Sequence, residues 1–300
     1  MRAYDRQETF DMLPFRALAR SIDAMLQAKK TGKAVAPARM TVQMEDKGTL
    51  LIMPASQGSL AVVKLVTVHP DNYAVRRMPT IQGEVVVIDT DDGSRLGVLD
   101  GMALTARRTA ALTMLAARKV APDPYGPILV VGAGAQAREH LRAFREALVS
   151  EKAYIYSRHG SSARELAREA KTWGLDAEVV SSPAEAMDKC TVIITATTSR
   201  TPVIGPEVRD DAFIAAIGSF TPDAAELPPE LVLKSRLFVD TMEGAMEEAG
   251  DFIQAGVDWS TVMALEDVED KDKPEKGPVI FKSVGHALWD LAAAKLAFGR

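Results

Sequence analysis

The chain has 300 residues, of which 47% are hydrophobic and 26% are charged, and its formal net charge is −5. This composition predicts a globular protein of about two domains, and the single cysteine, Cys190, cannot form a disulfide bond within the chain. The acidic balance, without a dominating basic cluster, argues against nucleic acid as a partner. The first ten residues lack an apolar signal core, and no run approaches the roughly twenty apolar residues that span a bilayer, so we expect a cytoplasmic chain without a membrane partner.

The first hundred residues combine a helical stretch with a series of strands. Apolar residues at helical spacing predict a helix within residues 1–27. Residues 40–89 have the alternation of strands, and residues 91–93 (Asp-Asp-Gly) predict a hairpin turn before a further strand. A helix over residues 103–118 follows. The sequence therefore predicts an α+β domain with a largely antiparallel sheet.

Three cationic side chains of this domain lie where solubility does not require a charge. Arg39 precedes the first of these strands, Lys64 interrupts the apolar run LAVVKLVTV, and Arg108 lies in a helix that is otherwise small and apolar. A charge among aliphatic residues is costly unless it is paired, so each should have a partner or a ligand. Alternatively, strand alternation directs Lys64 to solvent, and Arg108 is an ordinary solvated charge.

Residues 128–158 are the most informative segment of the second half. An apolar run leads into Gly-Ala-Gly-Ala-Gln-Ala, then into an amphipathic stretch and a second apolar run. Gly132 permits a tight turn, Gly134 lets the backbone approach a pyrophosphate, and Ala137 lets the helix pack closely on the sheet. The pattern predicts a dinucleotide site whose cofactor-binding residues are Gly132, Gly134, Ala135 and Gln136.

Strands and helices alternate through the rest of this half. The predicted strands are ILVVGAG, AYIYSR, AEVV, TVIITATT, FIAAIG and RLFVD, with helices around residues 136–149, 161–173 and 183–188. This alternation is typical of a parallel, doubly wound sheet, in which ligands bind at the carboxyl ends of the strands. Thr197, Thr198 and Ser199 are therefore further candidates for binding the cofactor. The charged segment 265–278 is predicted to be a solvated loop.

The end of the second of these strands indicates which dinucleotide binds. An NAD site usually has an acidic residue there, whereas this chain has Ser157, Arg158 and Arg164, and no acid until Glu165. A hydroxyl and a guanidinium would bind the 2′-phosphate that a carboxylate would repel. We therefore predict NADPH, with NADH as the alternative; the competing interpretation is that both arginines are ordinary solvated charges.

At many of these residues the chain resembles the ornithine cyclodeaminase/μ-crystallin family, over nearly its whole length. The matching motifs are Pro37-Ala38-Arg39, Val63-Lys64, Pro79-Thr80, Leu104–Ala111, Gly132–Ala137, Ile193-Ile194-Thr195, Gly218-Ser219, Glu248–Asp251 and Phe281–Gly285. The resemblance implies a homodimer joined through its N-terminal sheets, a Rossmann domain in each subunit, and an active site in the cleft between domains. It also implies that Arg39, Lys64 and Arg108 bind a substrate carboxylate or lie next to it.

One position helps to separate the branches of this family. In the cyclodeaminases an Asp stands two residues after the glycine of the loop that follows the fifth strand, and it acts on the substrate amine and the attacking water. This chain has Phe220 at the matching place, and a phenyl ring takes no proton and would exclude water. The family's alanine dehydrogenases also carry the Asp, whereas the ketimine-reducing members lack it. The loop, followed by Glu226-Leu227, resembles that of the bacterial Δ1-pyrroline-2-carboxylate reductases.

The resemblance therefore implies reduction of Δ1-pyrroline-2-carboxylate to L-proline, and of Δ1-piperideine-2-carboxylate to L-pipecolate. Lys64 and Arg108 are the predicted catalytic residues; the predicted substrate-binding residues are Arg39, Thr80, Phe220, Glu248 and Ser283. Whether Lys64 donates a proton to the imine or is a third carboxylate contact stays open. The alternatives are a cyclodeaminase, an amino-acid dehydrogenase, and a non-catalytic, crystallin-like binding protein.

The chain is divided accordingly into two predicted domains. Residues 1–118 with 284–300 would form the substrate-binding and dimerisation domain, because the final helix is apolar enough to pack on the first domain. Residues 119–283 would form the Rossmann domain that binds NADP. The four histidines lack the spacing of metal ligands, so no metal is predicted.

Overall fold

A computed structural model describes residues 1–45 and 48–300. The strands of these residues are β1 (Arg2–Tyr4), β2 (Met40–Gln43), β3 (Thr49–Gln57), β4 (Leu60–Val68), β5 (Ile81–Asp89), β6 (Arg95–Asp100), β7 (Ile128–Val131), β8 (Lys152–Tyr156), β9 (Asp176–Val179), β10 (Val192–Thr195), β11 (Phe213–Ala216), β12 (Arg236–Val239), β13 (Val262–Ala264) and β14 (Val279–Lys282). The helices are α1 (Arg6–Asp11), α2 (Phe15–Lys30), α3 (Asn72–Arg76), α4 (Gly101–Val120), α5 (Ala135–Leu148), α6 (Gly160–Thr172), α7 (Ala184–Met187), α8 (Pro229–Lys234), α9 (Met242–Glu248), α10 (Gly250–Ala255) and α11 (Ala287–Phe298). Within the described ranges, none of these helices has both the length and the apolar character that a bilayer span requires.

The contacts between residues divide the chain into two compact units. The first comprises residues 1–108 and 286–300, and the second comprises residues 109–285. One division point falls within α4 and the other lies between β14 and α11. The domain boundaries given by the sequence, after residues 118 and 283, stay a prediction.

The first unit is built on a six-stranded sheet. Its strand order is β1-β6-β5-β4-β3-β2, and every neighbouring pair is antiparallel except β1 with β6. The predicted α+β fold with a largely antiparallel sheet is confirmed. The helical stretch of residues 1–27 differs from the prediction, because a short strand precedes it and Pro14 separates α1 from α2.

One face of this sheet is covered by the helices of the same unit. Helix α11 packs against α2, β3 and β4. The buried residues of α2 recur at helical spacing, as Leu18, Ile22 and Leu26 do, so one face of the helix enters the core. Alternation along β4 points Leu60, Val62, Lys64 and Val66 to this covered face. The alternative prediction, that strand alternation directs Lys64 to solvent, is therefore wrong.

The second unit is built on an eight-stranded parallel sheet. Its order is β13-β12-β14-β11-β10-β7-β8-β9, and the central strands β7, β10 and β11 are buried throughout. The predicted doubly wound α/β fold is confirmed, although six strands were predicted and eight are present. The additional strands are β13 and β14, and β14 lies in the middle of the sheet between β11 and β12.

The charged segment 265–278 is only partly the solvated loop that the sequence predicts. It contains two short 3-10 turns, and Leu265, Glu266 and Pro274 within it are buried. The sequence does not predict these buried positions, because they are few, lie among charged residues and show no periodicity.

Candidate functional site

A buried cluster of charges lies in the first unit. The ammonium Nζ of Lys64 on β4 lies 2.7 Å from Oδ2 of Asp290 on α11. The Nε of Arg108 on α4 donates a hydrogen bond of 3.1 Å to Oδ1 of the same carboxylate. All three side chains are buried, and that of Asp290 is fully so. Two buried cations therefore share one buried carboxylate.

Each member of the cluster is placed by the local structure of its element. Lys64 belongs to the inward-facing residues of β4, and α4, which begins at the end of β6, carries Arg108 two turns into the helix. Asp290 lies on α11, which packs on β3 and β4. Sequence reasoning missed Asp290. The available signal was a lone acidic residue in the apolar helix ALWDLAAAKLAF, which is as costly to bury as a lone base.

The electrostatics of the cluster favour an additional anion. The pKa of Lys64 is lowered to about 8: burial lowers it most, the negative charge of Asp290 raises it, and the positive charges of Arg108 and Arg39 also lower it. The charges of Lys64, Arg108 and Asp290 sum to one positive charge when Lys64 is protonated. A buried charge without compensation is unfavourable, so a carboxylate ligand would stabilise this arrangement.

The other two residues predicted at the substrate in this unit are less deeply placed. Arg39 is half-buried just before β2, and its charge acts on Lys64. Thr80 is half-buried just before β5, and its backbone carbonyl accepts a hydrogen bond from the N–H of His69. The structure therefore brings Arg39 near the cluster, while the role of Thr80 stays a prediction.

In the second unit, the turn after β7 has the geometry of a phosphate-binding turn. Gly132 has φ of +119°, and a Cβ there would lie 2.4 Å from the carbonyl oxygen of Ala196, so a side chain is excluded. Gly134 is the N-cap of α5 without a side-chain cap, and a Cβ added to it would meet open space. The first backbone amides of α5 can therefore bind an anion. The predicted residues at this helix start are Gly134 and Ala135, which are exposed, and Gln136, which is half-buried.

The predicted 2′-phosphate residues lie at the end of the next strand. Ser157 follows β8 and is half-buried, and Arg158 after it is exposed. Arg164 is exposed on α6, and its Nη1 lies 3.3 Å from where a Cβ on Gly160 would stand. These positions suit a phosphate on the adenosine ribose, because two guanidinium groups flank a segment without a carboxylate. The contact itself stays a prediction.

The loop after β10 contains the other three predicted cofactor residues. Thr197 and Ser199 are half-buried and Thr198 is exposed. Both the N–H and the hydroxyl of Thr197 donate hydrogen bonds of 2.7 Å to Oε1 of Glu226. Burial raises the pKa of Glu226, against the lowering effect of Lys282 and of the Thr197 hydrogen bonds. Sequence reasoning noted Glu226 within a motif but gave it no function.

The loop after β11 carries Phe220, a residue that is 40% exposed. Its neighbour Ser219 is held by the fully buried Lys282, whose Nζ donates 2.7 Å hydrogen bonds to the carbonyl oxygen and to Oγ of Ser219. Lys282 Nζ also lies 2.7 Å from Oδ2 of Asp251. Burial raises the pKa of Asp251, but Lys282 and the backbone hydrogen bonds outweigh it, and the pKa lies below its usual value. Phe220 therefore follows a rigidly held residue.

The last two predicted substrate residues lie after β14 and at the end of α9. Ser283 is buried after β14, and its hydroxyl donates a hydrogen bond of 2.8 Å to Oδ2 of Asp240. Asp240 also accepts the N–H of Gly285 at 2.9 Å, so it fixes the turn after β14. Glu248 is half-buried at the last residue of α9. The substrate-binding roles of Ser283 and Glu248 stay predictions.

The fold and these features define a class of protein. A doubly wound parallel sheet with a glycine turn that fits a pyrophosphate is typical of dinucleotide-binding proteins, and the first unit adds a buried, anion-seeking cluster. A sequence model of the ornithine cyclodeaminase/mu-crystallin family matches residues 5–300. The chain belongs to this family, as the resemblance predicted.

Named relatives are similar over nearly the whole chain. Delta(1)-pyrroline-2-carboxylate reductase 1 of Burkholderia multivorans is 38% identical over 299 residues, covering 98% of this chain and 94% of the relative. The Delta(1)-pyrroline-2-carboxylate/Delta(1)-piperideine-2-carboxylate reductase of Azospirillum brasilense is 37% identical with the same coverage. Among solved structures, Thermococcus litoralis Delta(1)-pyrroline-2-carboxylate reductase in complex with NADH and L-proline has a TM-score of 0.92 and 30% identity, covering 100% of this chain and 97% of that one.

Proposed function

We propose that this chain is a reductase of cyclic ketimine acids, which converts Δ1-pyrroline-2-carboxylate to L-proline with a reduced nicotinamide coenzyme. The observation that carries the proposal is the buried cluster of Lys64, Arg108 and Asp290, which has one positive charge in excess. A substrate with one carboxylate would balance that charge. The names of the relatives in Burkholderia and Azospirillum support this substrate class.

The residues of the cluster would divide the work of binding and proton transfer. Arg108 would bind the substrate carboxylate, which fixes the ring and lowers the entropic part of the barrier. Lys64 would hold a proton at Nζ and donate it to the imine nitrogen, since its pKa of about 8 keeps it mostly protonated at pH 7 yet able to release the proton. Asp290 would orient both cations without contacting the substrate.

The coenzyme would bind the second unit at the glycine turn and the loops beside it. When bound, the reduced coenzyme supplies the hydride that adds to C2 of the ring, while nitrogen gains the proton and the coenzyme is oxidised. The first amides of α5 would bind its pyrophosphate. Ser157, Arg158 and Arg164 would favour NADPH through its 2′-phosphate, although the Thermococcus litoralis relative was solved with NADH.

The six-membered substrate is part of the same proposal. Δ1-piperideine-2-carboxylate has the same carboxylate and the same C=N bond and differs by one methylene group. The Azospirillum brasilense relative is named for both rings. A single methylene is worth about 1–3 kcal/mol in discrimination, so we expect both rings to be reduced with different efficiencies.

We also propose that the chain forms a homodimer through the outer face of the first-unit sheet. That face carries a row of cross-strand neighbours, Pro54, Val63, Val86 and Val98, on β3 to β6. All four are apolar and half-buried, and nearby Leu65 is 37% exposed. A contiguous aliphatic surface of this kind typically meets another protein surface, and a second copy offers a self-complementary one.

Absorbance of the reduced nicotinamide tests the proposed reaction directly. Wild-type protein should oxidise NADPH or NADH when either cyclic imine is added, and proline or pipecolate should form in equal amount. Lys64→Ala should lower kcat by at least about a hundredfold if it donates the proton. Arg108→Ala should lower kcat/KM by roughly tenfold to a hundredfold, the worth of one charged hydrogen bond.

Lys33→Ala is the matched control, because Lys33 is an exposed lysine of the same unit. It should leave turnover unchanged, and circular dichroism should show that all variants are folded. Normal turnover in Lys64→Ala or Arg108→Ala would refute the proposal. Ammonia released from ornithine without net coenzyme oxidation would instead identify a cyclodeaminase.

A further inference from the structure

Glu226 is a buried carboxylate that joins the loops after two neighbouring strands. Its Oε1 accepts the N–H and the hydroxyl of Thr197, each at 2.7 Å. Its Oε2 accepts the N–H of Gly218 at 2.7 Å and the hydroxyl of Thr195 at 3.1 Å. Thr195 ends β10, Thr197 lies in the loop after it, and Gly218 follows β11. A single side chain therefore holds both loops, one through each oxygen.

A second carboxylate fixes Glu226 and extends the network to a third strand. Asp251 Oδ1 accepts the N–H of Glu226 at 2.6 Å and that of Leu227 at 2.9 Å. Its Oδ2 lies 2.7 Å from Nζ of Lys282 at the end of β14. Strands β10, β11 and β14 are adjacent in the sheet. The carboxyl ends of three consecutive strands are thus connected by buried charged hydrogen bonds, which are strong where water is excluded.

The position of these loops in the sheet indicates which part of a dinucleotide they would meet. The strand order reverses between β7 and β10, and a dinucleotide binds across such a point. The glycine turn after β7 and the residues after β8 would take the pyrophosphate and the adenosine ribose. The loops after β10 and β11 lie on the other side of the switch point, where the nicotinamide half would bind.

We propose that Glu226 is a positioning residue that fixes the loops after β10 and β11 to receive the nicotinamide half of the coenzyme. The inference rests on the proposed function. Glu226 is fully buried, so it acts through Thr197 and Gly218 and does not contact the coenzyme itself. Its geometry leaves little tolerance, because each of its two oxygens accepts one backbone N–H that cannot turn away.

Glu226→Gln tests this geometry with a change of one atom. A glutamine keeps one oxygen and replaces the other by an NH₂ group, which is a donor. In one orientation the NH₂ faces the N–H of Thr197, and in the other it faces the N–H of Gly218. Either way two donors oppose each other and one of the two loops must move. Glu185→Gln is the control, because exposed Glu185 also accepts the N–H and hydroxyl of one residue, Ser181.

Binding of two ligands by the full-length protein separates positioning from general damage. The probes are NADPH or NADH, whichever wild type binds more tightly, and the matching 2′-phospho-ADP-ribose or ADP-ribose, which lacks nicotinamide. Calorimetric titration should show coenzyme binding weakened at least about tenfold in Glu226→Gln, while ADP-ribose binding stays within about twofold. Glu185→Gln should bind both as wild type does.

A milder pair of variants keeps the test valid if Glu226→Gln does not fold. Thr195→Val removes one donor to Glu226 at a fully buried position, and Thr195→Ser retains it. Coenzyme binding should weaken at least about threefold in the valine variant and recover in the serine variant. Equal weakening of both ligands, or none in either set of variants, would overturn the positioning role. Failure of wild-type protein to bind NADPH or NADH would overturn the proposed function itself.

Discussion

Replacing Asp290 by asparagine removes the carboxylate that pairs with both Lys64 and Arg108 while keeping the shape of the side chain. Asp290 lies 2.7 Å from Lys64 Nζ and 3.1 Å from Arg108 Nε. Its charge and hydrogen bond raise the pKa of Lys64, against burial and the charge of Arg108, which lower it. Without that charge, Lys64 should lose its proton at lower pH.

Two magnitudes follow from this geometry. The pKa of Lys64 is about 8 in the wild type, and loss of an opposite charge in direct contact lowers a pKa by roughly 1–3 units. If protonated Lys64 is needed for turnover, the basic limb of kcat/KM against pH should move from near 8 down by that amount. Breaking a buried ion pair on one side should also lower the free energy of unfolding by about 3–5 kcal/mol.

The assay is the pH profile of imine reduction, together with thermal unfolding with and without L-proline. The activity of Asp290→Asn relative to wild type should be much lower at pH 8 than at pH 6. L-proline should raise the Tm of the variant more than that of wild type, because the ligand carboxylate replaces the missing charge. Asp89→Asn is the control, since Asp89 pairs with a different residue of the same unit, Arg300, at 2.9 Å. A basic limb that stays near pH 8 in Asp290→Asn would refute the role of Lys64 as proton donor.

Three further predictions concern the coenzyme and the dimer. Arg158→Ala should raise KM for NADPH by roughly tenfold to a hundredfold and that for NADH little, and equal changes would argue against a 2′-phosphate contact. Gly134→Val would place a side chain in the open space at the start of α5, where the pyrophosphate would bind. Coenzyme binding measured by fluorescence should weaken at least about tenfold, or 1.4 kcal/mol, while Tm stays unchanged. Val63→Lys should shift the protein from dimer to monomer in sedimentation, whereas Leu233→Lys, at an exposed position of the second unit, should not; an unchanged dimer in Val63→Lys would exclude this face.

The sequence predicted the fold where local patterns are long and failed where an element is short. Strands β3 to β6 alternate over six to nine residues, and β7 leads into a glycine turn with a helix behind it, so both units were predictable. Strands β1 and β13 have three residues each, too few for a periodic signal. Strand β14 has four apolar-rich residues that follow a charged segment, so its place between β11 and β12 depends on tertiary pairing.

The site was predictable where a charge interrupts an apolar run and hidden where its partner is far along the chain. Lys64 and Arg108 stood out as bases among aliphatic residues. Their shared partner, Asp290, is 182 residues from Arg108 along the chain. The two residues meet only because α11 packs in the folded unit, so the sequence could not show that they pair. Glu226 was hidden for another reason. An acid in a proline-rich loop is ordinary, and its four donors lie at the end of β10 and in the loops after β10 and β11, which meet only in the folded sheet.

The two buried lysines show why sequence alone could not assign their roles. Lys64 interrupts the apolar strand β4 and Lys282 ends the apolar strand β14, and both pair with a buried carboxylate at 2.7 Å. Lys282 uses its three N–H bonds on Asp251 and on the carbonyl and hydroxyl oxygens of Ser219, so its capacity to donate is filled. Lys64 pairs with Asp290, and its pKa is lowered to about 8. A lysine whose donors are all used fixes a loop, whereas a lysine with a lowered pKa is suited to give up a proton.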